Sequence, residues 1–113
     1  MSVTIYHNPR CSKSRQTLDL LRDNGVEPII VEYLETPPNA ATLQAILSRL
    51  AMGPRDLMRE KEAREVGLDD PALDAAALVD GMVANPIVIQ RPIVVSGDKA
   101  ALGRPPEDVL AIL

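Results

Sequence analysis

Hydrophobic and polar positions along this chain alternate between two periodicities. Val3 to His7 reads as a short strand that runs into Asn8-Pro9. Ser12 to Asn24 then places Leu18 and Leu21 at helical spacing, with Leu20 adding apolar area and Gly25 as the C-terminal cap. After Pro28 the run Ile29-Ile30-Val31-Glu32-Tyr33-Leu34 is mostly β-branched or aromatic, which predicts a second, well-buried strand. A strand-helix-strand unit in one sheet is almost always a right-handed crossover with parallel strands. The start of its helix then sits at the carboxyl end of the first strand, where the sequence places Cys11.

Thr36-Pro37-Pro38-Asn39 breaks this pattern, and Leu43, Ile46, Leu47 and Leu50 follow the i, i+3, i+4, i+7 spacing of an amphipathic helix. Pro54 can open a short helix at its first position, Glu60 to Val66 continues as a charged helical stretch up to Gly67, and Asp74 to Ala84 predicts a further helix before Asn85-Pro86. Because its apolar periodicity persists, residues 36–86 read as a helical insertion rather than a linker. Beyond it, Ile93-Val94-Val95, Gly97-Asp98 and Ala100-Ala101-Leu102 predict a β-hairpin. Pro105-Pro106 starts a last helix that can bury Val109, Leu110, Ile112 and Leu113 on the sheet. The predicted order is β-α-β, helices, then β-β-α, an α/β fold in which 1–113 forms one domain.

Composition narrows the function classes. The 113 residues are 46% hydrophobic and 25% charged, the balance of an ordinary globular protein, and with two Tyr and no Phe or Trp the core must be aliphatic. A formal charge of -4 argues against general attraction to nucleic acid or to anionic membrane, so any anion must be captured locally. Neither a signal-peptide order nor an apolar stretch long enough to span a bilayer is present, which predicts a cytoplasmic protein. A single cysteine excludes an intrachain disulfide and a Cys-x-x-Cys couple.

That cysteine holds the candidate chemistry. A thiol at the first turn of a helix faces unpaired N–H groups and the positive end of the helix dipole, both of which favour thiolate. Arg10, Lys13 and Arg15 lie close in sequence and push the same way. The alternative is a buried cysteine acting as a small hydrophobe, but its neighbours, Asn8 to Arg15, belong to a loop rather than a core. Ser12 and Ser14 suit helix capping as well as bonding to a thiolate or anion. His7 suits structural hydrogen bonding as well as tuning of the thiol. One Cys and one His make no convincing metal site.

The run Tyr6-His7-Asn8-Pro9-Arg10-Cys11-Ser12-Lys13-Ser14-Arg15 resembles the signature loop of glutaredoxin-coupled arsenate reductases. The resemblance covers essentially the whole chain. It continues through Tyr33-Leu34-Glu35-Thr36-Pro37-Pro38, Leu57-Met58-Arg59, Arg91-Pro92-Ile93-Val94-Val95 and Gly103-Arg104-Pro105-Pro106, in family order. It implies a thioredoxin/glutaredoxin-like fold interrupted by a helical segment. It also implies that Cys11 is the nucleophile, that Arg59, Arg91 and Arg104 hold the oxyanion and its covalent adduct, and that His7, Ser14 and Arg15 support the thiolate. Pro92 would be a cis-proline facing the cysteine loop. Without the resemblance each arginine reads as a solvated surface residue. Arginine nevertheless suits the task, since its fixed, permanently charged fork pairs with tetrahedral oxyanions.

The activity implied is reduction of arsenate to arsenite through a Cys11 adduct. Glutathione is the co-substrate, glutaredoxin resolves the mixed disulfide, and no cofactor is tightly bound. Two other readings share the fold. One is a glutathione-linked thiol oxidoreductase acting on another anion or on protein disulfides. The other is a non-enzymatic regulator that binds RNA polymerase. Redox-sensing relatives of that second kind often carry Cys-x-x-Cys at this loop, where this chain has Ser14 as the second member.

Overall fold

The computed structural model describes residues 2–113. They form two compact units, one made of residues 2–36 with 91–113 and the other of residues 37–90. The first unit contains β1 (Val3–His7), α1 (Ser12–Asp23), β2 (Ile29–Glu32), β3 (Ile93–Ser96) and β4 (Lys99–Leu102), followed by a 3₁₀ segment at Pro106–Ile112. Its four strands lie in the order β2-β1-β3-β4. β1 is parallel to β2, whereas β1–β3 and β3–β4 are antiparallel. The β-α-β and β-β order is the one the sequence pattern predicts, and the arrangement is the thioredoxin-like one that the resemblance implies.

β1 alternates buried and half-buried positions, the period of a pleated strand, and so directs Val3, Ile5 and His7 inward. On α1 the buried stripe is Ser14, Thr17, Leu18 and Leu21, the spacing of one helical face. Leu18 and Leu21 pack with Val3, Ile5, Val94 and Val109 into an aliphatic core. Each such side chain contributes about 1.5–3 kcal/mol on burial. The stripe becomes polar at Ser14, its end nearest the cysteine loop, and that change prepares the site.

Two expectations need correction. The run after Pro28 is a strand, but a short and exposed one: Ile29 is 59% and Ile30 40% accessible, and the chain turns after Glu32. β2 is an edge strand hydrogen-bonded only to β1 within the sheet, and a β-branched run specifies extended backbone without specifying central placement. The last helix is 3₁₀ rather than α, with Pro106 and Val109 buried. The hairpin is as expected. Gly97, at the first central position of its two-residue loop, has φ 61, as a type II′ turn requires.

The second unit holds α2 (Ala40–Leu50), α3 (Glu60–Glu65) and α4 (Ala75–Ala84), with 3₁₀ segments at Pro54–Leu57 and Pro86–Val88. Asn39 caps α2 by accepting the Thr42 N–H, and Asp74 caps α4 by accepting that of Ala77, both at 2.8 Å. Leu43, Ile46 and Leu47 form the buried face of α2. The unit extends beyond the predicted limit of residue 86, because Arg59 N–H donates to Val88 O and Gln90 N–H to Leu57 O, each at 2.7 Å. Among the described residues no helix is long and apolar enough to cross a membrane.

Candidate functional site

β1 ends at His7, and the chain must turn at once to enter α1. Asn8-Pro9-Arg10-Cys11 makes that turn: Cys11 N–H donates to Asn8 O at 3.0 Å, and the Asn8 side chain accepts the Arg10 N–H at the same distance. Cys11 is therefore the N-cap residue of α1, in extended conformation and half-buried.

Ser14 locks this turn from inside the core. It is fully buried, its Oγ lies 2.6 Å from His7 Nδ1, and it accepts the Asn8 N–H at 3.1 Å. Oγ can both accept and donate, so it joins the Asn8 backbone and the His7 ring in one buried hydrogen-bonded link. His7 is held below the usual histidine range, chiefly by burial; Glu32 opposes this, whereas Arg15 and Arg22 reinforce it. Arg15 closes the loop from outside, with Nη1 donating to Pro9 O at 2.8 Å.

The Cys11 thiol titrates below its ordinary value. Burial alone would raise it, but opposing contributions prevail: the backbone N–H of Ser14, the hydrogen bond and charge of the Arg91 side chain, and the backbone N–H of Lys13. Arg104 adds a second guanidinium, with Nη2 3.9 Å from Cys11 Sγ and Nε donating to Arg91 O at 2.8 Å. Sulfur, two forked cations and the first N–H groups of a helix thus converge, although residues 11, 91 and 104 are far apart in sequence. Such a set binds a tetrahedral anion next to a nucleophile.

The sequence around this site carries a family pattern, and a model of the ArsC family matches residues 6–112. The chain belongs to the ArsC family. It is 47% identical to the arsenate reductase of Haemophilus influenzae over the full length of both chains. It is 44% identical to the arsenate reductase of Neisseria meningitidis serogroup A, over 98% of this chain and 97% of the relative. It is also 57% identical to the uncharacterized protein YfgD of Escherichia coli K12, over 98% and 96%. The solved structure of the arsenate reductase from Vibrio cholerae matches with a TM-score of 0.96 and 47% identity, covering 100% of this chain and 98% of that one.

In this ArsC-family chain, the cations beside the sulfur differ from those suggested by sequence proximity. Arg15 binds the loop carbonyl, Lys13 acts on the thiol through its backbone, and Arg91 supplies the charge. Proximity along the chain misleads because side chains following an N-cap radiate around the helix, while β3 and the end of β4 are brought beside the loop by the sheet. Arg59 belongs to the second unit, at the N-cap of α3, and its Nη1 pairs with Glu62 at 3.3 Å.

The Arg91–Pro92 bond is cis, the geometry implied by the resemblance, and so is Arg104–Pro105, which the sequence reading did not single out. Gly103 has a structural role that its sequence context does not reveal. Its N–H donates to Pro92 O at 3.0 Å, and a Cβ there would collide with Thr17 Oγ1 and come within 2.7 Å of Pro92 Cγ. The Gly-Arg-Pro-Pro context was visible in the sequence, but the close approach that demands glycine was not. Among the described residues no group of three or more His, Cys, Asp or Glu is placed to hold a metal ion.

Proposed function

We propose that this protein is a cytoplasmic arsenate reductase using Cys11 as nucleophile, glutathione as reductant and glutaredoxin as resolving partner. The observation that carries this reading is the approach of Arg91 and Arg104 to a cysteine whose thiol is shifted toward thiolate. The full-length relatives named arsenate reductase favour arsenate among the possible oxyanions.

The thiolate attacks arsenic(V), a sulfur–arsenic bond forms, and one arsenate oxygen leaves as water after protonation. Arg91 and Arg104 offset the repulsion between two anions; a charge-assisted bond is worth roughly 1.5–3 kcal/mol when well formed. Glutathione thiol then attacks the Cys11 sulfur. The sulfur–arsenic bond breaks with its electron pair left on arsenic, so arsenic(III) departs as arsenite and a Cys11–glutathione disulfide remains. The chain has one cysteine, so an external thiol must attack the glutathione sulfur to release Cys11.

The test is arsenate-dependent NADPH consumption coupled through glutathione reductase, glutathione and glutaredoxin. Wild type is expected to turn over only with all components present, and Cys11→Ser not at all. Arsenite production by that variant, or no turnover by wild type, would overturn the proposal.

A further inference from the structure

A cavity of about 250 Å³ lies beside the cysteine loop within the first unit, and His7, Asn8, Arg10, Glu32, Leu34 and Glu35 contribute to its wall. The chemistry at arsenic uses neither Arg10 nor the two glutamates. A guanidinium and two carboxylates around one small space fit an occupant that carries a cation and an anion a few bonds apart. Leu34, 38% exposed, adds an apolar surface to the same wall. His7 also contributes to the wall: it is 6% exposed, its Nδ1 is engaged with Ser14, and Nε2 is its other ring nitrogen.

We propose that this cavity binds the α-amino-acid end of the thiol co-substrate, the γ-glutamyl group of glutathione. The ammonium is held by Glu32 and Glu35, and the carboxylate by Arg10. The proposal rests on the glutathione-dependent reading above and deepens it by giving that thiol a seat. Arg10 is the residue bonded to Cys11. In γ-glutamylcysteine the γ-linkage places the glutamyl α-carbon up to roughly 9 Å from the sulfur, a reach sufficient to carry sulfur from Arg10 to the adjacent residue.

The seat can be tested without arsenic, because glutathione disulfide presents the same γ-glutamyl group. Cys11 thiolate attacks one of its sulfurs, a Cys11–glutathione disulfide forms, the original disulfide breaks, and glutathione thiolate leaves with no net oxidation. The experiment measures the rate of this exchange on the full chain by mass spectrometry, relative to exchange with hydroxyethyl disulfide, which has no amino-acid end. Wild type is expected to prefer glutathione disulfide by about tenfold or more, the worth of one charge-assisted bond. Arg10→Gln and the double variant Glu32→Gln/Glu35→Gln should each lower that preference severalfold. A general loss of thiol reactivity cancels in the ratio, and a thermal melt matching wild type shows that a variant's lost preference is not unfolding. Absence of preference in wild type, or full preference in both variants, overturns the seat. Preference without arsenate turnover would instead defeat the arsenate reading and leave the seat standing.

Discussion

Arg104 Nη2 stands 3.9 Å from Cys11 Sγ although 93 positions separate the two residues. The same guanidinium donates through Nε to the Arg91 carbonyl at 2.8 Å, so one arginine is aimed by the backbone of the other. Lysine keeps the charge but not the fork. Arg104→Lys is therefore expected to lower kcat/KM for the oxyanion about tenfold or more while the melting temperature stays close to wild type. Steady-state kinetics beside a thermal melt checks this, and an unchanged kcat/KM would remove Arg104 from the anion site.

His7 makes folding stability depend on pH. Burial holds it below its ordinary value of 6.5 in the folded chain, and the unfolded chain takes up its proton near that value. As pH falls below 6.5 the unfolded state binds the proton first. The stability present above that pH is then lost progressively toward the folded value. Urea midpoints measured across this range should fall with decreasing pH in wild type and fall less steeply in His7→Gln. Equal slopes would show that His7 is not held neutral.

Gly103 ties the Arg91–Pro92 segment to α1 by close contact. A methyl group at this position must displace Thr17 or Pro92, and overpacking of this kind typically costs 1–3 kcal/mol. Gly103→Ala should lower the urea midpoint and, by shifting Arg104 and Arg91, slow Cys11 alkylation at neutral pH. A variant as stable and as reactive as wild type would show that the segment relaxes freely.

Ala51 ends α2 in the left-handed region, with φ 55, while Met52 N–H reaches back to Leu47 O at 3.0 Å. Glycine takes this conformation without the Cβ penalty. Ala51→Gly is expected to stabilise the chain by up to about 1 kcal/mol, the Cβ strain of about 1–2 kcal/mol being offset in part by greater freedom of the unfolded chain. A lowered urea midpoint would contradict this.

Local chemistry was the legible part of the sequence. The strand into Asn8-Pro9, the helix beginning after Cys11, the Gly97-Asp98 hairpin and the Leu43-Ile46-Leu47 face each follow from spacing or turn chemistry within a few residues. What depended on placement was not legible. Ile29 and Ile30 gave no sign of belonging to an edge strand, and the Ser14–His7 bond depends on how β1 and α1 meet. Arg91 and Arg104 were assigned by resemblance alone, since nothing in their local sequence records that the hairpin delivers them to the cysteine loop. Arg10, Lys13 and Arg15 illustrate the converse, because closeness in sequence did not put their charges on the sulfur.

Folding shifts the lone Cys11 thiol toward thiolate. The most direct test is the pH dependence of Cys11 alkylation by iodoacetamide, followed in the native chain and in the same chain unfolded in guanidinium. With one cysteine present, the signal has a single source. The native midpoint is expected below the unfolded one, and Arg91→Ala should move it upward. A native midpoint at or above that of the unfolded chain would contradict the account.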